Sequence, residues 1–309
     1  MKVVAAIDLG GTFTKFGLVS GDGICLSQDR ISTTAFKNEK EFCRELSLQL
    51  QTMRGDHRIV AAGIGAPNGN FKTGTINHAP NLPWKGIVPL ARILEKELKV
   101  KCVLMNDANA GALGEMRFGS AKKIPDFIYI TLGTGLGSGF VVNGRIVHGH
   151  HGCAGELGHV TIEKNGRACG CGKKGCLETY VSATGITRTA KEWMDSGART
   201  FLNGTKNISA SDLTLAARKG DRFSKKIFEH TGEILGMALA NAVLHTGPGA
   251  IFISGGLAGA GELLFRPTIK HFEKNLFPSF RNKVKILPSR FSGNKAALLG
   301  AASLAWETV

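Results

Sequence analysis

Compact apolar runs alternate along this chain with stretches of helical spacing, and glycine marks most of the junctions. KVVAAIDLG (2–10) is an apolar run broken only by Asp8 and closed by glycine, and it reads as a strand. FGLVSGDGICLS (16–27) reads as a second strand, a Gly-Asp-Gly turn and a third strand. In EFCRELSLQLQTM (41–53), Phe42, Leu46, Leu50 and Met53 fall on one helical face. RIVAAGIGAP (58–67) is a buried strand that runs into a Gly/Pro turn, and VPLARILEKEL (88–98) is a helix. KCVLMND (101–107) is a strand, followed by a small-residue helix, ANAGALGEMRFG (108–119), which Gly119 stops.

DFIYITLGTGLGSGFVVNGRIV (126–147) then repeats the opening pattern of strand, glycine loop, strand and tight turn. DLGGTFTKFGLVSGDG (8–23) lies over TLGTGLGSGFVVNGR (131–145) without a gap at a spacing of 123 residues: Gly10 meets Gly133, Leu18 meets Val141 and Gly21 meets Gly144. Such self-similarity points to a structural duplication. EILGMALANAVLHT (233–246) is a helix, GPGAIFISGGL (247–257) a turn, a buried strand and a Gly-Gly turn, and GNKAALLGAASLAW (293–306) a closing helix. Strands alternating with helices predict an α/β architecture with mixed sheets. With no long linker, the boundary is expected near 117–125. That gives a small α/β domain over 1–117, completed by a C-terminal helix at 295–309, and a large α/β domain over 118–294.

Composition narrows this only slightly. The chain has 309 residues, 43% hydrophobic and 20% charged, which is a globular composition. Its 41 glycines cluster in short loops beside apolar runs, where backbone must come close to a ligand. MKVVAAIDLGG has the wrong build for a signal peptide, and no apolar stretch reaches the roughly 18 residues of a membrane helix. A cytoplasmic protein without membrane contact is expected, and there seven cysteines read as thiols or metal ligands. The formal charge of +15 comes from scattered lysine pairs such as Lys122-Lys123, Lys173-Lys174 and Lys225-Lys226. No basic helix with interleaved aromatics appears, so a basic surface attractive to small anions is the reading, with no nucleic-acid partner.

The chemistry starts at the two glycine loops. Glycine at strand tips exposes backbone N–H groups that bind phosphate. There is no P-loop motif, and neither GGTFTKFG nor GTGLGSGF is a dinucleotide fingerprint opening a helix. Two hairpins facing each other across a cleft would hold the phosphates of ATP through Gly10, Gly11, Gly133 and Gly135. Thr12 and Thr134 would add hydroxyls, Lys15 a cation, and Asp8 a water-mediated hold on Mg²⁺. Asn106-Asp107 marks a strand-to-helix junction; on residues alone, Asp107 is either a helix cap or a general base.

A second cluster follows the pattern H-x9-C-x-C-x4-C: His159, Cys169, Cys171 and Cys176. Four such ligands in a polar, lysine-rich, glycine-interrupted segment suit tetrahedral, structural Zn²⁺. Cys25, Cys43, Cys102 and Cys153 lack this spacing, and His150 and His151 read as surface residues. Glu156 lies three residues before His159 and Glu178 two after Cys176, so a metal would also fix both carboxylates, which suit vicinal sugar hydroxyls.

Taken together, DLGGTFTK (8–15), GIGAP (63–67), LMNDANAGALGE (104–115), LGTGLGSG (132–139), GELGH (155–159), CGCGKKGCLE (169–178) and ISGGL (253–257) resemble the ROK (repressor, ORF, kinase) family over essentially the whole chain. The resemblance implies two actin-like (ribonuclease H-like) domains of the actin/hexokinase/Hsp70 ATPase superfamily with a cleft between them. It implies ATP-dependent phosphorylation of a hexose, with glucose at its 6-hydroxyl as the expected substrate. The base would be Asp107, ionised at its helix start. Asn106, Asp107, Glu156, His159 and Glu178 would contact the sugar, adenine would lie near Gly255-Gly256, and a homodimer is expected. N-acetylglucosamine, N-acetylmannosamine, fructose and allose are the alternative substrates. Repressors of the family carry a helix-turn-helix before the kinase-like part, for which the phosphate loop at Asp8 leaves no space. Asn68 stands where the family has glycine; asparagine tolerates left-handed backbone, and the sugar-side loop there includes Asn81.

Overall fold

The computed structural model describes residues 1–291 and 295–309. Chain contacts divide it into two compact units: Met1–Pro125 with Gly139–Gly155 and Asn294–Val309, and Asp126–Ser138 with Glu156–Gly293.

The first unit opens with an antiparallel meander, β1 (Lys2–Leu9), β2 (Phe13–Val19) and β3 (Cys25–Ser32). Helix α1 (Glu39–Met53) follows, capped by the Asn38 side chain, and buries Phe42, Leu46 and Leu50 as its spacing predicts. Strand β4 (Arg58–Ala66) then lies parallel to β1. Three short strands, β5 (Gly69–Asn70), β6 (Thr75–Asn77) and β7 (Ile87–Val88), form a separate small sheet. Helix α2 (Leu90–Leu98), strand β8 (Lys101–Asn106) and helix α3 (Asp107–Phe118) complete the run. The main sheet has the order β3-β2-β1-β4-β8. The N–H groups of Gly119 and Ala121 return to the Glu115 carbonyl, and the first stretch of this unit ends at Pro125, inside the expected boundary of 117–125; Gly139–Gly155, expected in the large domain, also falls in the first unit.

The second sheet uses β9 (Phe127–Leu132), β10 (Leu136–Val142) and β11 (Arg145–Ile146), with β10 beginning in the second unit and ending in the first. After the loops that carry the cysteines come α4 (Glu178–Val181), α5 (Ala183–Asp195), α6 (Ala210–Arg218) and α7 (Arg222–Thr246). Strand β12 (Ala250–Ser254), helix α8 (Glu262–Asn275) and strand β13 (Lys285–Pro288) finish the second unit. Helix α9 (Lys295–Trp306) belongs to the first unit; residues 293 and 294 of the helix expected there lie outside the described residues. The small residues of α3 and α9 let their backbones meet: a Cβ on Gly300 would stand 1.8 Å from the Ala110 carbonyl oxygen.

The second sheet runs β11-β10-β9-β12-β13, with β12 parallel to both β9 and β13. This repeats the first sheet strand for strand. The 123-residue offset carries Leu9, the end of β1, onto Leu132, the end of β9, and carries both ends of β2 onto those of β10. Among the described residues no helix is long and apolar enough to cross a membrane.

Candidate functional site

In the first unit, Asp8 is the penultimate residue of β1 and stands opposite Lys15 in the hairpin register. The loop between them is braced by Thr33, whose N–H donates to the Thr12 carbonyl at 2.8 Å and whose hydroxyl donates to the Gly10 carbonyl at 2.8 Å. Gly11 lies against Asn81, whose carbonyl oxygen would be 2.7 Å from an added Cβ. Asn68 adopts φ 52°, and its amide donates to the Asn77 and His78 carbonyls, so the turn accepts asparagine.

At the head of α3 the cap is Asn106, which accepts from the N–H groups of Ala108 and Asn109. Asp107 is the first helical residue, and its Oδ1 also accepts from Ala108 N–H at 2.8 Å. Burial lifts the Asp107 pKa above the ordinary carboxylate range, outweighing the backbone N–H bonds that lower it. A helix start alone predicted the opposite shift. Asp8 is raised to about 6, first by burial and then by the charge of Asp107, with Lys15 opposing. Two half-buried acids so placed favour a hard cation with oxygen ligands.

In the second unit, the loop Gly133–Gly135 is held by the start of α5: Ala183 N–H donates to the Gly133 carbonyl at 2.9 Å, and the Thr184 hydroxyl to the Thr134 carbonyl at 2.6 Å. Gly255, at φ 92°, turns the chain after β12 directly over the Leu132 carbonyl, and Gly256 opens a 3-10 turn.

His159 closes a second 3-10 turn, Leu157–His159, with Glu156 at its N-cap. The turn is tighter than the α-helical spacing anticipated for this pair. Cys171 Sγ lies 3.7 Å from Cys176 Sγ, and Cys169 Sγ lies 3.7 Å from His159 Nδ1. All four ligand atoms fall within 4.8 Å of one another. A tetrahedral ion with Zn–S bonds of about 2.3 Å needs neighbouring sulfurs about 3.8 Å apart, so the donor set fits zinc. Gly175 permits the loop closure: its φ is 74°, and a Cβ would be 1.8 Å from the Glu163 carbonyl oxygen. Glu178 joins this cluster to the glycine loop. Its Oε1 is 2.9 Å from Cys169 Sγ, and its Oε2 accepts from Leu136 N–H at 3.3 Å. His150 and His151 are exposed and outside the ligand set.

Sequence reasoning missed Arg167. Its guanidinium is buried, donates to the Thr179 carbonyl at 2.7 Å and to the Thr189 hydroxyl at 2.9 Å, pairs with Glu192 and stacks over Tyr180. It pins the cysteine loop to α4 and α5. No pattern around it signals this role, because every partner lies downstream in elements that the sequence reading did not define.

A meander followed by parallel strands, built twice, with a glycine loop between the first two strands of each copy, defines an actin-like ATPase fold of two α/β units. The ROK family model matches residues 4–308, and the chain belongs to the ROK family. Glucokinase of Halalkalibacterium halodurans is 36% identical over 309 residues, covering 96% of this chain and 93% of the relative. The crystal structure of a ROK family glucokinase from Streptomyces griseus in complex with glucose and AMPPNP aligns with a TM-score of 0.85 at 32% identity, over 99% of each chain. A ROK family transcriptional regulator, a homologue of the E. coli MLC protein, aligns with a TM-score of 0.89 at 27% identity, over 98% of this chain and 77% of its own.

Proposed function

We propose that this chain is an ATP-dependent glucokinase that transfers the γ-phosphoryl group to the 6-hydroxyl of glucose. The observation that carries the reading is the head of α3, in a chain 36% identical to a glucokinase: Asn106 supplies the cap, which leaves Asp107 as a half-buried carboxylate of raised pKa whose charge acts on Asp8.

Asp107 takes the proton of the 6-hydroxyl as that oxygen forms its bond to the γ-phosphorus. The bond from the γ-phosphorus to the bridging oxygen breaks, and ADP leaves with the electron pair. The raised pKa of Asp107 makes it a stronger proton acceptor than an exposed aspartate. Backbone N–H groups at Gly11 and Gly135, the hydroxyls of Thr12 and Thr134, and Lys15 hold the phosphates; Gly10 and Gly133, whose N–H groups donate to the Phe13 and Gly135 carbonyls, shape the two loops, and Gly255 and Gly256 border the adenine. Asn106, Glu156, His159 and Glu178 hold the sugar hydroxyls. Asp8 would hold Mg²⁺ through water; the ion, when bound, supplies neutralisation of phosphate charge. His159, Cys169, Cys171 and Cys176 would hold Zn²⁺, which supplies a fixed structural centre. The reading includes a cytoplasmic homodimer, on the strength of the family resemblance.

The test is a coupled ADP-release screen over glucose, mannose, fructose, allose and the two N-acetylhexosamines. Turnover highest on glucose supports the reading, turnover confined to an N-acetylhexosamine moves the substrate, and no ADP on any sugar removes it. The likeness to the regulator favours a second reading, sugar-responsive DNA binding. Specific retention of DNA at physiological salt, without ADP release, would favour that one.

A further inference from the structure

Two residues at the start of β10, Leu136 and Ser138, touch the segments that carry all the second-unit groups assigned to the hexose. Glu156 is the N-cap and His159 the last residue of one 3-10 turn. A single turn has too few internal bonds to fix its own place. The Leu157 N–H donates instead to Ser138 Oγ at 3.0 Å. Ser138 is 6% exposed and Leu157 8%, so water does not substitute for this bond. Gly158, inside the turn, packs against the same strand: a Cβ there would be 2.3 Å from the Leu136 carbonyl oxygen. The Leu136 N–H, in turn, donates to Glu178.

We propose that Ser138 is a positioning residue for hexose binding: its hydroxyl fixes the Leu157–His159 turn on β10 and so sets the spacing of Glu156, His159 and Glu178. The proposal rests on the hexose-kinase reading above. The metal cluster cannot do this alone, because its ligand His159 is at one end of the turn and Glu156 is at the other. Hydrogen bonds to sugar hydroxyls weaken steeply with misplacement, so a shift of the turn that carries Glu156 and His159 costs hexose affinity first. The 123-residue offset gives Ser138 a counterpart in Lys15 of the first unit. At the same strand position, one copy keeps a cation and the other a buried hydroxyl.

The test compares Ser138→Ala and Ser138→Thr in the zinc-loaded protein. Glucose and ATP KM values are measured, together with equilibrium glucose binding by tryptophan fluorescence, zinc content and melting temperature. Ser138→Ala is expected to raise the KM and Kd for glucose about 10-fold while moving the KM for ATP by no more than about twofold, with zinc retained. Ser138→Thr keeps the hydroxyl and is expected to recover most of the loss. If the alanine variant does not fold, Ser138→Cys, nearly isosteric and a weaker acceptor, is read in the same way. A wild-type glucose KM in the variant, or an equal rise for both substrates with zinc loss, overturns the proposal alone. A wild type that makes no ADP on any hexose overturns the kinase reading and this proposal together.

Discussion

Asp8 feels the charge of Asp107: after burial, that charge is the largest influence lifting the Asp8 pKa to about 6, against the pull of Lys15. An acid raised in the folded state binds its proton more tightly there than in the unfolded chain. Protonated Asp8 therefore adds stability below the ordinary carboxylate pKa of 3.8, and that stability is lost as pH rises through about 6. Asp8→Asn, which is permanently neutral, is expected to melt above the wild type at about pH 7.5 and level with it at about pH 4, without nucleotide or divalent cation. Calorimetry at both pH values checks this. Equal melting temperatures at pH 7.5 would show that Asp8 is not strained by its surroundings.

Asp107→Asn is expected to lower kcat by about 10²–10⁴-fold. The amide is nearly isosteric, so glucose binding measured by tryptophan fluorescence should change little. In the wild type, kcat should fall on the acid side, because the base works only when ionised. The midpoint of that fall should lie above the range of an exposed aspartate, since burial lifts Asp107. Near-normal turnover in the asparagine variant would remove the base assignment.

The metal site gives a third expectation. Cys171 is exposed while Cys176 is buried, so Cys171→Ser removes a ligand with little loss of packing. Zinc content by elemental analysis should drop, and the KM for glucose should rise more than that for ATP. Bound zinc should also be lost more readily as pH falls, because the cysteine ligands must be deprotonated. Full zinc occupancy in the serine variant would mean that Cys171 is not a ligand.

Arg167 offers a test of how the cysteine loop is held. Its fork serves the Thr179 carbonyl, Thr189 and Glu192 while its plane lies 4.4 Å above the Tyr180 ring centroid. Lysine keeps the charge but not the planar fork. Arg167→Lys is expected to cost about 1–3 kcal/mol, read as a lower melting temperature of the zinc-loaded protein. An unchanged melting temperature would make the network incidental.

Much of this was legible in the chain because the signals are local. The glycine-tipped hairpins announce themselves by short apolar runs around Gly10-Gly11 and Gly133-Gly135. The candidate metal ligands fall between His159 and Cys176, close enough for spacing alone to group them. Other elements were silent for physical reasons. Helix α6 buries only Leu213, Ala216 and Ala217 and declares itself mainly through the Ser209–Asp212 capping box, while α8 carries Pro267 inside it. Strands β5 and β7 are two residues long, too short to show alternation. The sign of the Asp107 shift depends on burial, a tertiary quantity that overrode the local effect of the helix start. Ser138 and Leu157 are far apart in sequence, and only the offset from Lys15 marks the serine's position as special.

The matched hairpins allow one last deduction. Strands β2 and β10 have the same seven-residue length and coincide at the 123-residue offset, so along this strand the two copies differ in their side chains. Asp8 and Lys15 in the first copy correspond to Thr131 and Ser138 in the second. One hairpin sets an acid opposite a cation, and the other has hydroxyl side chains at both of these positions. A single polypeptide thus carries one hairpin design twice, with chemistries that are not interchangeable.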